Sequence, residues 1–517
     1  MLFNSPEFIF VFLPLALTTF FLIGRFTGFR AALIWLVVLS LIFYAWWRIA
    51  DVPILVISVV ANFMLGRLIE RTANDRHAGM LMAAGVAANI VALGWYKYVG
   101  LLTRTIADLS GAAWTVHDPV LPLGISFFTF LQIAYLVDVR RERRAEPNLA
   151  RYSLFVTFFP HLIAGPILHH KEMLPQFTAE KARSPAVEDL AVGLTLFVLG
   201  LSKKLLLADT AAARADQVFS FVGTMPLTTA EAWLGTIAYG FQIYFDFSGY
   251  SDMAIGLARM FGIRLPVNFD SPYKAASIIE FWRCWHMTLS RFLRDYLYIP
   301  LGGTRLGEPR RMLNIMVTMA IGGLWHGASW TFAVWGGLHG VYLVVNHGWN
   351  RLRARDDKPP SPRGPQRIAA TLLTFLLLTW AWVPFRAPDF VTTRAMWHSM
   401  LALDGLSLPK SLAPRGLLAD AAGALGLRFD GMFTSFAFGD VPSGLLMLLV
   451  LTAVTFAMPN TQEMLRQFDP ALGWRPRRGF PMILWRPSLT WAVAVGIAFS
   501  LSLMALAHPV KFIYFNF

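Results

Sequence analysis

The sequence predicts an all-α protein that crosses a membrane many times. Three observations carry that prediction. Hydrophobic residues fill 56% of the 517 positions and charged residues only 15%, against about a quarter charged in a soluble domain. Apolar runs of spanning length, about 20 residues each, recur from one end of the chain to the other. Lys and Arg exceed Asp and Glu by 45 to 31, and the surplus gathers in loops, as in the cytoplasmic loops of polytopic proteins. That placement explains the net charge of +14 without a nucleic acid, which would need a soluble basic domain. Cys284 is the only cysteine, so an internal disulfide and a cysteine metal cluster are excluded.

The first span reads at 7–24. It lacks a basic leader and a small-residue cleavage site, so it reads as a retained helix. Spans follow at 31–47, 53–69, 79–96 and 120–137, then an interrupted apolar region at 152–207. Later spans fall near 231–247, 311–324, 328–348, 367–387, 441–458 and 487–508. The basic loops RFTGFR (25–30), RLIERTANDRH (67–77) and RRERR (140–144) alternate with a short loop at 48–52 and a lightly charged one at 97–117. This alternation places Met1 outside and the basic loops inside. Pro359, Pro360, Pro362 and Pro365 make 351–367 a non-helical linker on the inner side. It separates a core, 1–350, from C-terminal spans in 368–517. The basic stretch 466–480 lies inside as well, and 388–440 forms an outer, folded loop.

Ionisable groups at membrane depth are costly and mark pathways or sites. Three stretches carry them. In FQIYFDFSGYSDMAIGLARMFG (241–262), Tyr244, Asp246, Ser248 and Asp252 interrupt an apolar run. They face protein or a watery cavity, either lining that cavity or pinning broken helices together. In EFWRCWHMTLSRFLRDYLYIPLGG (280–303), helical spacing sets Arg283, His286, Ser290 and Arg294 on one stripe opposite an apolar arc. Such a helix lies on the membrane surface or floors a cavity for an anionic ligand. His286 is a hydrogen-bonding or a catalytic residue. In IGGLWHGASW (321–330), His326 stands among Gly322, Gly323 and Gly327 and beside Trp325. An imidazole offers a base near neutral pH. The glycines admit a neighbouring backbone or a reacting group, and the tryptophans wall the site from lipid. No G-x-S-x-G, H-E-x-x-H or Walker pattern is present. His169, His170 and Glu172 have some metal-ligand character but lack further ligands, and no metal site is assigned.

Taken together, YFDFSGYSDMAIGL, EFWRCWHMTLSRFLRDYLYIPLGG and GGLWHGASWTFAVWGGLHG closely resemble the membrane-bound O-acyltransferase family, in its alginate O-acetylase branch. FYAWWR (43–48), LPLGISFFTFLQIAYLVDV (121–139), FFPHLIAGPI (158–167), WVPFRA (382–387) and the terminal FIYF support the match. Two positions depart from it: Cys284 stands where arginine is usual, and His161 where glutamine is common. The resemblance implies a ring of tilted helices with re-entrant segments around a central tunnel. It makes His326 the catalytic histidine and His286 a second candidate, with Tyr244, Asp246 and Asp252 lining the cavity. Arg283 and Arg294 are then placed to hold coenzyme A phosphates or an anionic sugar chain. It further implies acetyl transfer from a cytoplasmic donor, acetyl-CoA, with no resident cofactor. The acceptor is an exported, alginate-like polysaccharide, or a periplasmic partner acyltransferase of the SGNH type. The setting is a bacterial inner membrane. D-alanyl transfer to teichoic acid and acetylation of cellulose or peptidoglycan stay open on the same fold. A non-catalytic export transporter or scaffold is the rival of another class, although no internal inverted repeat is detectable.

Overall fold

A 32-residue helix, Thr229–Met260, forms the post around which the chain is built. It opens with a capping box in which Thr228 and Glu231 satisfy each other's end of the helix. From Tyr239 to Met260 every residue is buried, so protein and not lipid surrounds it. The computed structural model describes all residues except 112–117, 354–361, 415–416, 477–482, 507–511 and 514–517.

In chain order the main helices are α1 (Leu13–Phe26), α2 (Phe29–Ala45), α3 (Val52–Arg71), α4 (Asp75–Ser110), α5 (Ile125–Glu142), α6 (Leu149–Thr157), α7 (Val187–Ser202), α8 (Asp209–Phe221) and the post, α9. Two short helices, α10 (Ile278–Trp282) and α11 (Met287–Leu293), precede α12 (Glu308–His326), α13 (Trp330–Arg353), α14 (Pro365–Arg386), α15 (Phe390–Met400), α16 (Val441–Ala457) and α17 (Leu489–Ala505). Five helical stretches among the described residues are long and apolar enough to cross a membrane: 8–26, 49–71, 75–110, 187–221 and 365–386. The chain is a helical, multi-pass membrane protein.

Helix α7 lies along α9 on a seam of glycines. A Cβ added to Gly200 would stand 2.5 Å from the carbonyl oxygen of Gly249, and one on Gly256 2.5 Å from that of Gly193. Small residues at such seams let two backbones touch, which is how helices associate where no water drives them together. Two hydrophobic clusters fill the interior. One joins α1–α7 to the C-terminal half of α9, and the other joins its N-terminal half to α13–α16.

Several boundaries differ from the sequence reading. The expected loop at 97–117 is helical as far as Ser110, so Lys97 lies inside a helix. Within 241–262 the chain stays helical as far as Met260, so the alternative of broken helices pinned together meets a single helix, α9. Pro365 is the first residue of α14, where its missing N–H costs nothing. The expected linker is therefore helical at both of its described ends, and its middle, 354–361, lies outside the described residues. The stretch 388–440 is folded: it holds α15, a short helix at Leu417–Ala424 and a parallel pair of two-residue strands, Leu406–Ser407 and Leu427–Arg428.

Candidate active site

Helix α12 ends on His326 because Gly327 is extended, and Ser329 and Thr331, bonded through their hydroxyls at 3.0 Å, begin α13. So tight a reversal brings the two backbones into contact. A Cβ on Gly323 would lie 2.2 Å from the Phe332 carbonyl oxygen, and one on Gly327 2.1 Å from the Phe332 ring. From the other side, a Cβ on Gly336 would lie 2.2 Å from the Met319 oxygen. Gly323 and Gly327 therefore serve helix contact. The room expected beside them for a reacting group is taken by α13. Gly322 faces Leu293, 3.1 Å from its notional Cβ.

His326 is only 3% exposed. Its ring is boxed by Trp325, Trp335 and Phe385, with centroids at 5.0, 5.2 and 5.4 Å. Trp325 belongs to one hydrophobic cluster, and Trp335 and Phe385 belong to the other. The imidazole thus sits on the seam between the two halves of the interior. His286 reaches the same place, its ring 6.0 Å from that of His326.

His286 arrives there by a break in the helix. The expected single amphipathic helix over 280–303 does not form, and the cationic stripe is lost with it. Helix α10 stops at Trp282, His286 takes a left-handed backbone with φ 42°, and α11 starts at Met287. Loop 268–270 competes for the backbone groups that would have continued the helix. The Met287 N–H donates to the Asn268 carbonyl at 3.0 Å, and the Asp270 N–H to the Cys284 carbonyl at 2.9 Å. The Asn268 side-chain oxygen meets His286 Nδ1 at 3.2 Å and accepts the Thr288 hydroxyl at 2.9 Å. A non-glycine residue in this region costs about 1–3 kcal/mol and persists where its surroundings hold it. The break buries His286 completely and turns Arg283 and Arg294 outward. Arg294 pairs with Asp295 at 2.7 Å, and Ser290 bonds the Trp285 carbonyl at 3.4 Å.

The polar residues of α9 are set among neighbouring helices. Asp246 binds Lys204 at 2.6 Å and accepts the Ile513 N–H at 3.0 Å. Asp252 takes Lys203 at 2.6 Å, Gln462 at 3.1 Å and the Thr461 hydroxyl. Of the two readings for these carboxylates, the geometry is that of pins between elements. Ser248 is buried, and Tyr244 packs between Phe269, Tyr273 and Trp285. Away from this region, Glu172 is held by Arg291 at 2.6 and 2.8 Å, and His169 and His170 both face Asp138, at 3.7 and 3.8 Å.

Three polar residues at the site escape the sequence reading. Asn268 gives no signal of its own. His339 is fully buried and accepts from the Trp282 indole N–H at 3.3 Å; its signal is a second histidine in the GGLHG end of the same motif. Lys97 donates to the Trp325 and His326 carbonyls; its signal is a lone cation flanked by tyrosines at the edge of an apolar run. Lys97, residues 121–127, Ile163, Trp325 and His326 line a narrow pocket with about 40 Å³ for solvent, on the order of one water molecule.

Comparison with known proteins gives the family. Residues 96–358 match the family model described as MBOAT, membrane-bound O-acyltransferase family. The chain belongs to that family. Membrane-bound O-acyltransferases are enzymes, and the matched segment contains His286, His326, His339 and Lys97. The chain is 40% identical over 434 residues to a peptidoglycan O-acetyltransferase of Helicobacter pylori, covering 79% of this chain and 81% of that one. It is 40% identical over 408 residues to a probable alginate O-acetylase of Pseudomonas aeruginosa, covering 78% and 75%. A teichoic acid D-alanyltransferase of Streptococcus thermophilus is 30% identical over 259 residues, covering 47% and 60%.

Proposed function

We propose that this chain moves an acetyl group from acetyl-CoA, at the cytoplasmic face, toward an exported alginate-like polysaccharide, with His326 as the acyl-handling imidazole. The transfer is direct or is finished by a periplasmic acyltransferase of the SGNH type. The protein sits in a bacterial inner membrane with Met1 on the periplasmic side. One observation carries the reading: a buried histidine walls a narrow pocket together with Lys97 and Ser126, 6.0 Å ring to ring from a second buried histidine.

The acceptor hydroxyl oxygen attacks the thioester carbonyl carbon. A C–O bond forms, the C–S bond breaks, and the hydroxyl proton passes through His326 to the departing thiolate. The buried Trp325 indole N–H has no hydrogen-bond partner among the described residues. Together with the Ser126 hydroxyl it can meet charge developing on the carbonyl oxygen. The Helicobacter relative supports a second acceptor, peptidoglycan, with the same chemistry. D-alanyl transfer draws on a relative that covers less of the chain.

The test is transfer of label from radioactive acetyl-CoA to alginate or to peptidoglycan, with and without a periplasmic partner. Label on alginate, reduced at least about 100-fold in an expressed His326→Ala variant, is expected for loss of a general base. Full activity in that variant would remove His326 from the chemistry. Label on peptidoglycan alone would change the acceptor, and no labelled product under any condition would favour a transporter.

A further inference from the structure

Lysine rarely lies inside an apolar helix, and a buried ammonium is expensive unless something pairs with it. Lys97 is 9% exposed, and among the described residues no carboxylate lies within ion-pairing distance of it. Its contacts point one way. The ammonium donates to the carbonyl oxygen of Trp325, stands 3.4 Å from that of His326 and 3.4 Å from the Ser126 hydroxyl. The next residue, Tyr98, donates its hydroxyl to the Leu324 carbonyl at 2.8 Å. Two consecutive residues of α4 thus grip three consecutive carbonyls in the last turn of α12.

The last four carbonyls of a helix have no partner within it, and they carry the negative end of its dipole. A cation there is the favourable complement, and in a low-dielectric interior the attraction is much stronger than in water. The grip falls on the turn that presents His326. The glycine contacts with α13 hold α12 from one side, and Lys97 and Tyr98 hold its end from another. The chain leaves the end of α12 extended at Gly327, so no further helical turn covers these carbonyls.

We propose that Lys97 is a positioning residue for His326: it clamps the carbonyls of Trp325 and His326 and so fixes where the imidazole meets the reacting groups. This rests on reading His326 as the acyl-handling residue. A misplacement of about 1 Å can cost on the order of 10²-fold in rate, and it acts on turnover more than on substrate binding.

The experiment measures kcat and KM for acetyl transfer by the full-length protein and by Lys97→Met, Lys97→Gln, Lys97→Arg, Tyr98→Phe and His326→Ala. The two neutral variants are expected to lose at least about 30-fold in kcat with KM within about threefold, approaching the loss from misplacement. Lys97→Arg keeps a cation in reach of the carbonyls and should recover to within about tenfold of the parent. Tyr98→Phe loses one neutral hydrogen bond and should stay within about tenfold as well. The proposal is overturned if either folded neutral variant keeps kcat within threefold of the parent, or loses activity through KM alone. It is also overturned if Lys97→Arg is no better than the neutral pair. If the neutral variants fail to fold while Lys97→Arg has full activity, the lysine serves folding and the positioning role falls. An active His326→Ala would overturn the underlying reading; an inactive His326→Ala beside active Lys97 variants would overturn this proposal alone.

Discussion

Replacing Lys204 by Met is expected to cost more stability than replacing Asp246 by Leu, although the two residues form one ion pair. Their side chains are 1% and 2% exposed, so solvent screens neither. Lys204 binds Asp246 at 2.6 Å and Asp209 at 2.7 Å. Without Asp246, the ammonium keeps a carboxylate. Without Lys204, Asp246 keeps only the Ile513 N–H among the described residues, at 3.0 Å. A buried charge stripped of its counter-ion costs about 3–5 kcal/mol, and the Lys204 variant belongs in that range. Asp246→Leu leaves Lys204 one carboxylate and takes the acceptor from the Ile513 N–H, and each hydrogen bond lost to a charged group costs about 1.5–3 kcal/mol; Lys204→Met strips two carboxylates, Asp246 and Asp209, of their cation and so costs more. The double variant removes both charges and should recover about 2 kcal/mol or more of the summed loss, a coupling readable from the double-mutant cycle. Equilibrium unfolding in mixed micelles, followed by tryptophan fluorescence, measures all four proteins. Equal losses from the two single variants would refute the asymmetry. An Asp246→Leu protein with parental stability and no acetyl transfer would refute the structural role and put the carboxylate on the substrate path.

Three further outcomes follow from the geometry. Gly323→Val should destabilise by about 1–3 kcal/mol through overpacking and lower kcat, because its Cβ would meet the Phe332 backbone at 2.2 Å. Gly337→Ala, with nothing within 4 Å of its Cβ, should be neutral or slightly stabilising in a thermal aggregation assay. Asp389 caps α15 by accepting the Thr392 N–H at 2.7 Å, which holds its carboxyl below the usual carboxylate range. Its contribution is therefore full above a pH of about 4, the ordinary carboxylate value, and fades as pH falls below it. Asp389→Ala should expose the 388–440 region to protease at neutral pH, with a loss of about 1 kcal/mol; unchanged cleavage would contradict the cap.

Much of the fold is legible in the sequence because lipid imposes a length on apolar helices. Helices α2, α3 and α14 fall within a few residues of the expected spans for that reason. Helix α9 exceeds its expected span, 231–247, by thirteen residues at the C-terminal end, because hydropathy cannot see that the surroundings are protein. His326 is legible as an imidazole in an apolar run. Lys97 is not, because the apolar run reads as ending one residue earlier, at Tyr96. The break at His286 is hidden for a different reason. Local sequence there favours a continuous helix, and the left-handed residue is neither Gly nor Asn, the usual markers. The competing bonds come from Asn268 and Asp270, whose nearness is a property of the fold. The pairing of Asp246 with Lys204 and of Asp252 with Lys203 is likewise tertiary: each carboxylate alone reads equally well as a pin or as a lining group.

The bond from Ile513 to Asp246 spans 267 residues of chain. A ribosome adding about 5–20 residues per second makes Ile513 roughly 13–53 s after Asp246. For that interval the carboxylate has, among its described partners, Lys204, which is made first. Phe512 then packs edge-on against Tyr250, ring centroids 4.9 Å apart, and lies under the Lys204 ammonium at 4.8 Å. Closure of this charge cluster thus waits for the synthesis of Ile513. A chain that stops before Ile513 leaves Asp246 with Lys204 but without that N–H, and leaves Tyr250 and Lys204 without the Phe512 ring.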